Sequence, residues 1–225
     1  MNEKKKSALI AAEAYSALAV MMGFGTYIGS MIFSDELGLL FGLLLMIPAV
    51  VFYILGKKRK LFAFLPMILN GLGCGFMVSA YFNHVDCVPA ISDLLIAFGG
   101  IILLFALSIG LFALTDNRGI VSAVFGLLSL ALLIVFAVLW GINGGVAYPV
   151  FFFASLLLPW FIVVFDVCTV GDDPALSQAG FWTFGVALVV FLVVIVCIGG
   201  DCDCDGSCCD CGGADCGSGG KKKKK

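Results

Sequence analysis

The sequence predicts an all-α polytopic integral membrane protein: a bundle of about seven transmembrane helices with a disordered Cys-rich C-terminal tail. Three observations lead there. The chain is 62% hydrophobic and only 12% charged, whereas a water-soluble fold of this size needs far more polar surface. It contains apolar runs of about 20 residues, the length a helix needs to cross about 30 Å of hydrocarbon. Those runs are continuous rather than alternating, which excludes the pattern of a membrane barrel. A helix also satisfies its own backbone in lipid.

The first span is expected at 7–33. It follows the basic start MNEKKK, but its apolar stretch is too long for a secretory signal core and Glu13 interrupts it, so it reads as a retained helix. It carries Gly25-x-x-x-Gly29. The second span, 37–56, lies between the links SDE and KKRK and contains Pro48. The third, 61–83, carries Pro66, Asn70 and the ladder Gly71-x-x-x-Gly75-x-x-x-Ser79. Small residues four apart let two helix backbones approach closely. The fourth, 89–114, follows the link HVDCV, and Asp93 falls about one turn inside it. The fifth, 120–141, follows TDNRG and ends near Trp140.

The sixth span, 146–170, follows INGG and holds Pro159, Trp160 and Asp166. The seventh, 181–199, follows GDDPALSQAG and starts beside Trp182. Trp140 and Trp182 read as interface anchors. Pro48, Pro66 and Pro159 would each remove a backbone hydrogen bond and kink a helix. Residues 1–200 thus make the transmembrane domain, and 201–225 a Cys/Asp/Gly-rich tail ending in five lysines.

Lysine and arginine collect on cytoplasmic links. Lys4–Lys6, the KKRK link and Arg118 are separated by two spans each, and all fall on one side. The expectation is therefore a cytoplasmic N-terminus. Seven spans then place the C-terminus outside the cytoplasm, even though the terminal lysines favour the opposite side. The short links and small size suggest a bacterial plasma-membrane protein.

Ionisable residues inside a membrane are expensive and therefore become functional candidates. Glu13 and Asp166 fall at comparable depth on the cytoplasmic side, where they could line one polar cavity; Asp93 lies near the other side. These three are the transport candidates. Asn70 reads as interhelical hydrogen-bond glue. The link YFNHVDC supplies His84, Asp86 and Cys87 without an evident scaffold for catalysis, and no catalytic motif occurs in the chain. No enzyme activity is expected.

The tail carries Cys202, Cys204, Cys208, Cys209, Cys211 and Cys216 among aspartates. Thiolates suit Zn or Cu(I), and four of the six would complete a tetrahedral zinc site. Disulfides or lipidation are competing fates for these thiols. The expected partner is the lipid bilayer; the small-residue helix faces are read first as holding the bundle together, with a homo- or hetero-oligomer through them as the alternative. The chain offers no basic stripe for nucleic acid. Three functional readings follow: a small transporter or permease-like protein, a membrane-anchored metal-binding or redox-sensing protein acting through the tail, and a structural or assembly subunit.

Overall fold

In the computed structural model the described residues are 3–56, 62–170 and 174–199. They form eight helices and no strand: α1 (Glu3–Ile32), α2 (Asp35–Gly56), α3 (Leu65–His84), α4 (Ile91–Thr115), α5 (Arg118–Asn143), α6 (Ala147–Ser155), α7 (Leu157–Val170) and α8 (Ala175–Gly199). Taking α6 and α7 as one crossing, seven segments are long and apolar enough to span a membrane. This is the architecture of a multi-pass membrane protein. We call the end where α1 starts the near end and the end where it stops the far end.

The sixth crossing is broken, and its sequence explains where. Pro159 has no N–H to donate to the carbonyl four residues back, and its ring crowds that carbonyl. The residue four back is Ser155, where α6 stops. The other two prolines differ. Pro48 is accommodated inside α2. Pro66 lies in the first turn of α3, where the missing N–H is unpaired in any case. It therefore marks a start rather than a kink, and α3 begins later than the predicted residue 61.

The last helix begins earlier than predicted, at Ala175, because Pro174 offers its carbonyl to Ser177 N at 2.8 Å and Gln178 N at 3.2 Å. Trp182 is consequently two turns inside α8 instead of at its boundary. It packs on Trp160 of α7 with ring centroids 5.8 Å apart, which gives the mid-span Trp160 its partner. Gly185 makes room for this pair, since a Cβ there would lie 2.7 Å from the Trp160 ring.

Glycine decides the packing of the first three helices. Gly71, Gly73 and Gly75 alternate along α3, so the first and third share one face and the second points the opposite way. Gly71 and Gly75 meet α1: an added Cβ on Gly71 would stand 2.8 Å from Leu18 O, and one on Gly75 would run into Met22 O. Gly25 and Gly29 return the contact from α1, against Leu72 and Ser79. Gly73 meets α2, where a Cβ would lie 2.9 Å from Gly42 O. On α2, Gly38 and Gly42 repeat the four-residue spacing against Phe76 and Met77. The small-residue faces read from the sequence thus meet each other inside the chain.

Beyond the glycines, aromatic rings fill the centre. Tyr15 of α1 packs edge-on against Phe105 of α4 and Phe161 of α7, at 6.3 and 6.1 Å between centroids. The least apolar crossings are the most enclosed. The third has mean hydropathy 1.4 with 72% of its window buried, while the fifth has 2.8 with 17% buried. Lipid solvates apolar side chains well, so the polar and small residues go inside and the leucine-rich faces go outside.

At the near end Lys5 Nζ lies 2.8 Å from Asp116 Oδ1 and donates to Ala113 O at 3.2 Å, tying the start of α1 to the end of α4. Asp116 is 72% exposed, so water screens the pair. Lys5→Met should therefore cost no more than about 1 kcal/mol. The difference in Tm from the parent chain should disappear in 1 M salt, where the Debye length is about 3 Å.

Candidate functional site

The far end holds a polar recess of about 550 Å³ where the ends of α1 and α3 meet the start of α2. Its walls include Ser30, Phe33 and Ser34 from α1 and the first link, Asp35 from α2, and Asn83, His84, Asp86 and Cys87 from the end of α3 and the turn beyond it.

Each wall follows from a helix end. The last carbonyls of a helix lack intrahelical donors. The Asn83 amide supplies one to α1, donating to Phe33 O at 2.7 Å and sharing Gly29 O, at 3.4 Å, with Phe33 N, which donates to it at 3.0 Å. Asp35 opens α2, and its Oδ1 accepts from Glu36 N at 2.9 Å. A carboxylate is favoured there by the positive end of the helix dipole. His84 closes α3, where the dipole favours a cation. Its Nδ1 stands 3.6 Å from Asp35 Oδ2, and both side chains are about two-fifths exposed. That contact is an ion pair whenever the imidazole is protonated.

Beyond His84 the chain reverses through a Schellman turn. Cys87 N donates to Phe82 O at 2.9 Å and Asp86 N to Asn83 O at 3.1 Å. Asp86 takes the left-handed position at φ 52°, which Asp tolerates better than most residues with a Cβ. The turn carries Asp86 and Cys87 to the rim.

The sequence places His84, Asp86 and Cys87 together by adjacency. It does not reveal Asp35 as the neighbour of His84, because the two lie in different links; only the α2–α3 pairing brings them together. Among the described residues, no three His, Cys, Asp or Glu side chains converge as metal ligands. The tail candidates Cys202, Cys204, Cys208, Cys209, Cys211 and Cys216, proposed for Zn or Cu(I), lie outside the described residues.

The three transport candidates fall on three different helices, α1, α4 and α7. Glu13 is exposed on α1 in an outward stripe with Leu9, Val20, Phe24 and Met31. Tyr15, two positions on, points about 200° away and packs on Phe161 of α7. Glu13 therefore faces away from α7. Asp166 is half-buried on α7 and accepts from Ser122 Oγ of α5 at 2.9 Å. Asp93 is half-buried in the first turn of α4, where the helix dipole favours a carboxylate. Asn70 does link helices: fully buried, it donates through Nδ2 to Thr183 Oγ1 of α8 at 2.7 Å.

The chain matches no protein-family model, no curated protein and no solved structure.

Proposed function

We propose that this multi-pass membrane protein is a permease-like, solute-binding protein whose far-end recess accepts a small cationic solute. The recess itself carries the reading. Its volume falls in the range of about 300–1,000 Å³ typical of small-molecule sites. Asp35 and Asp86 on its walls give it two carboxylates against one imidazole, so an organic ammonium ion suits it electrostatically. Ser30, Ser34 and Asn83 add hydrogen-bonding groups for a polar solute. Along α3 toward the bundle centre, the fully buried Phe82 and Met77 follow, so translocation requires a rearrangement that moves these side chains aside.

The test is binding and uptake of small organic ammonium ions by the purified chain in proteoliposomes, with glycerol as a neutral comparator. Asp35→Asn and Asp86→Asn should each weaken ammonium binding about tenfold, roughly 1.4 kcal/mol, and leave the unfolding free energy within about 1 kcal/mol of the parent. Equal binding of ammonium ion and glycerol, or unaltered affinity in both variants, would sink the reading.

A further inference from the structure

We propose that the interior of the bundle contains one hydrogen-bonding site, shared by Tyr15 of α1 and Asn70 of α3, that holds a water-sized molecule. The site is independent of the recess. Asn70 and His84 are fourteen residues apart on α3, roughly 21 Å at the helical rise.

Both side chains are fully buried, and each leaves a polar atom without a partner among the described residues: the Tyr15 hydroxyl and Asn70 Oδ1. The Asn70 amide spends Nδ2 on Thr183 Oγ1, and Thr183 directs its own hydroxyl to Gly180 O at 2.7 Å. Turning the amide over exchanges which of its atoms is left without pairing it. A dry, unpaired polar atom in such an interior is destabilising, and membrane lipid offers no relief.

The two groups share a level and a neighbourhood. Tyr15 is one turn before Leu18, and Asn70 is next to Gly71, whose Cβ position lies 2.8 Å from Leu18 O. The Tyr15 hydroxyl is within electrostatic range of the Cys74 and Cys168 thiols. Cys74 is one turn beyond Asn70 on the same face of α3. The other ring neighbours of Tyr15, Phe105 and Phe161, are apolar. The phenol is a donor and the amide oxygen an acceptor, so one small molecule that both accepts and donates satisfies the two together. Water is the molecule of that size and chemistry.

Hydroxyl-radical labelling of the full chain in nanodiscs, read residue by residue by mass spectrometry, tests the site. Bound water should make Tyr15 react at least about fivefold faster than the equally buried Phe105 and Phe161, because radicals form from water in contact with the residue. Asn70→Leu should bring Tyr15 down to their level. Tyr15→Phe, which removes only the oxygen, should lower Tm by about 2–5 °C. An unchanged or higher Tm in Tyr15→Phe overturns the proposal, since a dry hydroxyl is better removed. Labelling of Tyr15 no faster than that of Phe105 overturns it as well.

Discussion

Gly75→Val should leave the chain without a folded bundle. The first added carbon falls against Met22 O and lies 2.7 Å from both Gly25 Cα and Thr26 N. These are backbone atoms of a neighbouring helix, so no rotamer change can relieve the clash. The α1 and α3 axes must separate, and the contacts at Gly25, Gly29 and Gly71 weaken with them. Overpacking in ordinary cores costs about 1–3 kcal/mol; against backbone the cost should be at or above about 3 kcal/mol. The measurement is the monodisperse fraction on size exclusion together with Tm. Gly110→Ala is the control: among the described residues nothing beyond its own helix's adjacent backbone and chain neighbours lies within 4 Å of its Cβ position, so this variant should fold normally and gain a few tenths of a kcal/mol from helix propensity, up to about 1.

Asn83→Leu should be the next most damaging substitution. It removes the donor that closes Phe33 O at the end of α1, while Gly29 O keeps its bond from Phe33 N at 3.0 Å. Carbonyls that lose their partner in a half-buried position cost about 1–3 kcal/mol. Asn83 also lines the recess, so ammonium binding should weaken in the same variant. Asn83→Asp separates shape from bonding. It keeps the outline but loses the N–H donors and sets a carboxylate against two carbonyls, so its thermal stability should fall at least as far. If the aspartate variant melts like the parent, the bonds to α1 contribute nothing and the recess wall is held by packing alone.

The membrane class and the seven crossings were legible because they depend on run length and composition, which are local. The close-packing faces were legible as well, since the ladder through Gly71, Gly75 and Ser79 and the pair Gly25 and Gly29 carry a recognised spacing; that α1 and α3 pair through them came only from the structure. The same spacing at Gly38 and Gly42 becomes meaningful only beside Gly73, which the opposite face of α3 presents to α2. Breaks and starts depended on where a proline falls within a turn. Pro66 and Pro159 look alike in composition, yet one begins a helix and the other breaks one. The site divided similarly. His84, Asp86 and Cys87 are neighbours in the chain and stay neighbours in space, whereas Asp35, Ser122 and Thr183 gain their roles from helix pairing. The exposure of Glu13 could not be read from its charge, because charge alone does not say which way a helix side faces.

The inverse relation between apolarity and enclosure bears on how the chain is made. Mean hydropathy falls to 1.5 and 1.4 for the first and third crossings, against 2.5 for the second and 2.7 for the fourth. Insertion into a bilayer during synthesis is judged segment by segment on apolarity. The third crossing, with Asn70, Ser79 and its glycines, is thus the weakest candidate to enter on its own and gains most from neighbours already in place. A chain truncated just after His84 and released from the ribosome should hold α3 in the membrane only while α1 and α2 precede it. A nascent chain lacking those two helices should let the third slip back into water.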